Sequence, residues 1–402
     1  MFVCLFVICT YMQVNKVAVI FDDDIYRRRG MFNAIRNRIR CLYEIADFNI
    51  DIFVINVYEP WYVRLLRKTP KVKRVDNVDI DGINYRVFWR PFMLTDYILS
   101  VKFNKAPLFA NRYQKIAADR IKGYDTVMAH SFYTSWIARI ISQRDKIPFI
   151  CTWHGSDIHT NPFLSTYYFN RTKILLEDAS CNFFVSKNLM EVSCNITKMG
   201  KKAVLYNGVS NNFFSYSDEK RNELKKAYRA EDRLVVMFCG NLNRVKNVLS
   251  LPSIFSYVAK MEKNVLFWVV GDGSYREELI SKTSNLDIVF WGNQSPETIP
   301  DYMNIANVLV LPSKNEGFGL VLIEALKCGC YAVGSRVGGI PEAIGEENTV
   351  PLSDPEFELK MARKIDARLK IEKRSDPDLV KHFTWEETAK KEYSIIDSIL
   401  KA

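Results

Sequence analysis

Apolar positions along the 402-residue chain fall into two alternating patterns. Short, nearly continuous runs, "KVAVIF", "DIFVINVY", "DTVMAH", "PFICTWHG", "CNFFVS" and "AVLYNG", are rich in β-branched and aromatic residues. Such runs predict strands buried on both faces of a parallel sheet, since a strand with one wet face would alternate. Between them lie segments with helical spacing, beginning with a helix from about Phe32 whose stripe is Ile35, Ile39, Leu42 and Ala46. The alternation argues for an α/β chain with helices wrapped around parallel sheets.

The pattern pauses at the turn-rich "YNGVSNNFFSYSD" and restarts with "LVVMFCG", "VLFWVVGDG", "DIVFWG", "NVLVLPS", "YAVGS" and "NTVPLS". The expected organisation is therefore a domain over 1–209, a second over 210–384, and a terminal helix over 385–402 that can cross back to the first. Thr384 and Glu387 predict a capping box at the start of that helix, and Ala389, Tyr393, Ile396 and Leu400 recur on one face. No internal repeat or low-complexity segment interrupts the series.

Composition narrows the class. With 48% hydrophobic and 25% charged residues, collagenous, disordered and multi-span membrane chains are excluded, and the length suits two domains that each bury a core. The net charge of +10 belongs to one half: residues 1–208 hold 30 Lys/Arg against 18 Asp/Glu, and residues 209–402 hold 26 against 28. A basic half faces either an anionic partner, phospholipid or nucleic acid, or simply solvent. Nine scattered cysteines without a C-x-x-C pair suggest a reducing compartment and no structural zinc. The opening "MFVCLFVICTYM" is too short to span a bilayer and lacks the basic start of a secretory signal. It is either a membrane-dipping stub or precedes a true start near Met12, and the second is favoured.

The densest candidate chemistry lies in "KNEGFGLVLIEALKCG", residues 314 to 329. "NVLVLPS" predicts a strand ending at Pro312, followed by a helix from near Gly317 to Gly329. A helix start rich in glycine is an anion site, because free N–H groups and the helix dipole favour negative charge and small residues admit a phosphate. Glu316 would enter the same crevice at the carboxyl end of the sheet, where ligands bind in open α/β folds. Glu324, about two turns on, would hold a second hydroxyl-bearing group if it faces that crevice. The plainer alternative makes Glu316 a favourable charge at a helix start and Glu324 an exposed partner of Lys327. Residue types and spacing leave the two alternatives level.

This stretch, with "GSRVGGIPEAI" after it, resembles the retaining glycosyltransferases of family 4, which have the GT-B fold of two Rossmann-like domains facing across a cleft. "TWHGSDI", "VSKNLMEV", "YNGVSNNFF", "FCGNLNRVKN", "VVGDGSYREEL" and "FTWEETAKK" resemble successive landmarks of that family in order, across most of the chain. The resemblance implies that Glu316 contacts hydroxyls of the donor sugar and Glu324 the ribose. Backbone amides of Phe318, Gly319 and Leu320 would lie near the diphosphate, with Lys246 neutralising it and His154 reaching the sugar from the first domain. It further implies a UDP- or GDP-sugar donor, a glycan or lipid-linked acceptor, retention of anomeric configuration by front-face attack without a protein nucleophile, and no cofactor. The family usually places Arg directly after the glycine that is Gly240 here, whereas this chain has Asn241, so Arg244 is the candidate substitute. The loop of the first domain often carries paired glycines and here has only Gly30, which with Asp157 forms the acceptor-side expectation.

Other chemistries find less support. Gly271 and Gly273 supply two glycines of a dinucleotide fingerprint, and Arg276 stands where close packing needs a small residue. No P-loop, G-x-S-x-G elbow or H-E-x-x-H run occurs. Asp22, Asp23 and Asp24 could imitate a metal-binding Asp-x-Asp, but two sheet series argue against that fold, so no metal is expected. Two basic and apolar segments could dock on anionic lipid: the helix after Gly30, with Arg27 to Arg29, Arg36, Arg38 and Arg40, and "EPWYVRLLRKTPKVKR", with Trp61, Tyr62, Leu65 and Leu66. Core packing of those aromatics is the competing expectation. No signature of a nucleic-acid module appears. The sequence thus predicts a cytoplasmic, membrane-peripheral transferase, with a non-catalytic binding protein of the same fold as the alternative.

Overall fold

The computed structural model describes residues 14–26, 30–69, 71–99 and 109–402. The opening apolar stretch, Arg27 to Arg29 and the neighbourhood of residues 100–108 lie outside them.

Two sheets form the frame. The first contains β1 (Lys16–Phe21), β2 (Asn49–Tyr58), β3 (Asn77–Ile80), β4 (Ile83–Pro91), β5 (Thr126–His130), β6 (Phe149–Trp153), β7 (Cys181–Phe184) and β8 (Lys202–Val204). Its spatial order is β3-β4-β2-β1-β5-β6-β7-β8, parallel except for the β3/β4 hairpin. The second contains β9 (Leu234–Cys239), β10 (Val265–Val270), β11 (Ile288–Gly292), β12 (Val308–Leu311), β13 (Tyr331–Ser335) and β14 (Thr349–Val350), in the all-parallel order β11-β10-β9-β12-β13-β14. β1 shows why its run is unbroken: Ala18 and Ile20 pack on one face while Val17, Val19 and Phe21 pack on the other, so both faces are dry.

The β3/β4 hairpin is absent from the expected series. Its turn, Asp81-Gly82, holds φ of 55° and 77°, the double left-handed geometry that Asp-Gly supplies with least strain.

The helix Gly30–Ile45 covers one face of the first sheet with Ile35, Ile39 and Leu42. The terminal helix Trp385–Leu400 lies against it, capped by Thr384, whose hydroxyl accepts the Glu387 N–H at 3.2 Å. Arg38 and Glu392 join the two helices through bonds of 3.0 and 2.5 Å, each side chain 1% exposed, and Phe48 stacks on Tyr393. This corrects one expectation. The apolar stripe of Gly30–Ile45 is core, Arg38 is committed to Glu392, and Arg36 pairs with Asp81, so this helix does not present a lipid-docking face. In contrast, Trp61, Leu65 and Leu66 on the helix Trp61–Arg67 are 71%, 74% and 66% exposed.

The chain passes between the sheets twice, and the two passages run together: Val209 N–H donates to Phe383 at 2.9 Å, and Val209 bridges Thr384. All seven described cysteines are free. Among the described residues no helix is long and apolar enough to cross a membrane.

Candidate active site

In each sheet the strand order reverses between two neighbouring strands whose following loops diverge, which opens a crevice at their carboxyl ends. In the second sheet these strands are β9 and β12. The loop after β9 carries Gly240, Asn241, Arg244 and Lys246, and the loop after β12 carries Glu316. A backbone bond from Lys314 N–H to Val245 at 2.8 Å ties the loops together, and Asn243 accepts the Lys246 N–H at 3.0 Å. The Lys246 ammonium therefore meets the Glu316 carboxylate, to which Ser313 also donates at 3.4 Å.

The helix beyond Glu316 begins at Leu320, later than the expected Gly317, because Gly319 takes a left-handed φ of 91° as its cap. It ends as expected at Gly329: Gly329 N–H bonds to Leu326 and Cys330 N–H to Ala325, both at 2.9 Å, the reciprocal pair of a Schellman stop. Phe318 is buried between Tyr206 and Phe383, which pins the start of this helix to the interdomain passages. The helix start thus faces the crevice with its first N–H groups lacking intrahelical acceptors.

Glu324 makes no ion pair with Lys327. It lies beside Cys239 at the end of β9, and burial raises its carboxyl to about 7. The Cys239 thiol is pushed up to about 12 by burial and then by Glu324, with Lys246 opposing. Glu324 and Lys246 therefore act on the same strand end. Asn241 and Arg244 are exposed at the loop tip.

In the first sheet the reversal falls between β1 and β5. Asp22 follows β1 and accepts a hydrogen bond from the Ser131 hydroxyl after β5. His130, the last residue of β5, lies 3.1 Å from His154 through Nδ1 and Nε2, with the rings stacked at 5.3 Å. Burial, followed by the charge of Arg38, lowers His154 to about 3, and the same causes hold His130 well below its ordinary value. Both shifts favour the neutral ring, and the tautomers set which of the two donates. His130 was not among the expected site residues, although its place at the carboxyl end of a buried strand is a signal for it.

Asp157 accepts the N–H groups of His154 at 3.3 Å and Gly155 at 2.9 Å, shaping the turn that carries His154. Burial raises its carboxyl to about 6 against these bonds. A cavity of about 450 Å³ includes His154, Asp157, Asp22 and Ser131 in its lining. Gly30 lines neither this cavity nor the neighbouring one, and a Cβ there would meet nothing within 4 Å. His154 and Asp157 thus line the cavity of the first sheet, while Glu316 and Lys246 meet at the crevice of the second.

The crevices meet closely. A Cβ on Gly317 would lie 2.0 Å from the His154 carbonyl oxygen, so only glycine permits this approach of the domains. Asn315 donates to Thr160 across the cleft at 2.8 Å. Glu342, in "GGIPEAI", accepts the N–H groups of Lys187 and Asn188 and the Tyr206 hydroxyl, all at 2.8 Å, and so caps a helix of the first domain from the second.

Two Rossmann-like domains with facing switch-point crevices form the GT-B fold. The family described as Glycosyl transferases group 1 matches residues 219–380, and Glycosyltransferase Family 4 matches residues 86–213. Over these two stretches the chain resembles group 1, family 4-like glycosyltransferases. It is 26% identical over 351 residues to the putative teichuronic acid biosynthesis glycosyltransferase TuaC of Bacillus subtilis, covering 83% of this chain and 84% of that one. It is 28% identical over 229 residues to N-acetyl-alpha-D-glucosaminyl L-malate synthase of Bacillus anthracis, covering 55% of this chain and 57% of that one. The crystal structure of Anabaena HepE in complex with UDP and glucose superposes with a TM-score of 0.64 at 20% identity, over 96% of this chain and 97% of that one.

Proposed function

We propose that the chain transfers a hexosyl group, with retention of anomeric configuration, from a UDP- or GDP-sugar on the second domain to a glycan or lipid-linked acceptor on the first. The work belongs to cell-surface polysaccharide or glycoconjugate synthesis. The observation that carries this reading is the Lys246 and Glu316 pair at the switch point of the second sheet, directly across from the His154 turn. The pair places a cation for a leaving diphosphate beside an acceptor of sugar hydroxyl bonds.

In this reading the donor diphosphate lies against the helix start at Phe318, Gly319 and Leu320, and Lys246 turns from Glu316 to offset the charge that develops as the bond from sugar to phosphate breaks. Glu316 is then free to hold the sugar hydroxyls and Glu324 the ribose. Neutral His154 can accept or donate a hydrogen bond to the sugar without adding a charge. The acceptor oxygen bonds to the anomeric carbon on the face the phosphate leaves, and its proton passes to the departing phosphate oxygen. The protein contributes placement and charge stabilisation. The HepE complex supports UDP as the nucleotide, and TuaC supports a cell-surface acceptor. Lys246 and the helix end supply the positive charge that a metal would otherwise provide. The exposed Trp61, Leu65 and Leu66, among basic residues, support docking at the cytoplasmic face of an anionic membrane.

A thermal-shift screen of UDP-, GDP- and ADP-sugars tests the donor, since a ligand that binds the native state raises its stability by mass action. Transfer by the best donor, in excess chelator, should yield a product whose anomeric proton coupling matches the donor. An inverted product, or loss of transfer that manganese restores, would contradict the reading.

A further inference from the structure

The cavity at the switch point of the first sheet contains a cation that the donor chemistry does not use. Arg90, near the end of β4, lines both the cavity of about 450 Å³ that contains His154 and a neighbouring cavity of about 910 Å³. Its guanidinium carbon lies over the Tyr133 ring, 4.6 Å from the centroid. It forms no ion pair among the described residues, and its buried Nε has no hydrogen-bond partner. The Tyr133 hydroxyl, in the lining of the same cavity, is also buried without a partner. Asp22, the carboxylate common to both cavities, is engaged by the Ser131 hydroxyl and feels the charge of Arg90, and Asp23, Asp24 and Glu59 also line the larger cavity. Ser131 itself is held at φ 85°, a strained backbone for a residue with a side chain and a mark of sites whose geometry is imposed from around them.

An arginine held over an aromatic ring, with N–H donors left over, is placed to grip a planar or tetrahedral anion through two bonds. The unpaired Tyr133 hydroxyl offers another donor in the same cavity. We propose that Arg90, assisted by Tyr133, recognises a carboxylate or phosphate on the acceptor. The anion seats where the two cavities join, and the acceptor hydroxyl extends toward His154. This rests on the reading that the acceptor occupies the first domain.

The test is calorimetric titration of the full chain, saturated with UDP to fill the second crevice, using inorganic phosphate, glucuronate and uncharged glucose as probes. At least one anion should bind more tightly than glucose. Arg90→Gln should weaken that anion roughly tenfold to a hundredfold, the cost of losing a charge-assisted pair, and Arg90→Lys should retain part of the affinity. Preference for phosphate marks a phosphorylated or lipid-phosphate acceptor, preference for glucuronate an acidic sugar, and either supports the assignment. Equal anion binding by wild type and R90Q, or no anion binding at all, would overturn it. UDP binding measured separately should be the same in R90Q and wild type. If UDP binds neither, the donor reading fails alone, and the anion titration is repeated on Lys246→Gln, which lacks the competing cation.

Discussion

Glu316 and Glu324 lie on one short stretch of chain but in different electrical settings. Glu316 faces Lys246, whereas Glu324 has no cation and is raised by burial from 4.5 to about 7. A carboxyl raised in this way contributes stability that is fully present below its unfolded value near 4.5 and is lost as pH rises through about 7. Glu324→Gln should therefore unfold at higher urea than wild type at pH 8, by on the order of 2 kcal/mol, with the gap closing toward pH 5. The same variant should bind nucleotide about tenfold more weakly, since a hydrogen bond to a charged group is lost. A pH-independent gap would place Glu324 in solvent. Glu316→Gln should bind nucleotide but lower turnover by about 10² to 10³, the scale seen when one preorganised transition-state contact is removed. Wild-type turnover in that variant would exclude Glu316 from the site.

The terminal helix Trp385–Leu400 carries a buried charge pair in its seam, and Thr388 and Lys391 donate to the carbonyls of Tyr206 and Val204. Removing only Glu392 strands the Arg38 guanidinium, one of whose Nη atoms already lacks a partner, in the core. Glu392→Ala should cost about 3–5 kcal/mol in denaturant unfolding, whereas the double replacement of Arg38 and Glu392 by Met should recover most of it. Equal loss in both would show that shape rather than charge sets this seam. Arg38 also explains an error of periodicity. Helical spacing identifies the arc of Ile35, Ile39 and Leu42 that meets the sheet, but it cannot tell whether the opposite arc meets water or a helix from the far end of the chain. The β3/β4 hairpin was missed for a different reason: its Asp-Gly signal is local and legible, but an alternating antiparallel edge does not stand out in a chain of continuous buried runs. Arg90, next to the last residue of that hairpin, was missed with it.

Across the whole molecule, the exposed Trp61, Leu65 and Leu66 lie in the basic half, and Arg64 from the same helix lines the cavity of about 910 Å³. Such a patch suits an anionic bilayer, where aromatic rings sit at the headgroup level and basic side chains meet phosphate. Sedimentation with vesicles containing phosphatidylserine should pull down the wild type at low salt. Binding should weaken as the Debye length contracts to about 8 Å at physiological ionic strength. Replacing Trp61, Leu65 and Leu66 with Ser should abolish binding while the melting temperature changes little, because these side chains are mostly exposed and Trp61 meets the neighbouring Tyr62 ring edge-on. Retained binding in that variant would move the contact to another surface.

Unbroken apolar runs determined the two parallel sheets, because a strand dry on both faces leaves no polar alternation to read. Gly329 and Thr384 determined where their helices stop and start, because caps satisfy backbone groups within a few residues. Those are short-range effects, and short-range effects are written in sequence. Which way Glu324 turns, which residue holds Arg38, how His130 meets His154, and why Gly317 must lack a side chain were decided only by tertiary structure. Each depends on a partner tens to hundreds of residues away, brought near by the order of strands in a sheet or by the closing of one domain on the other.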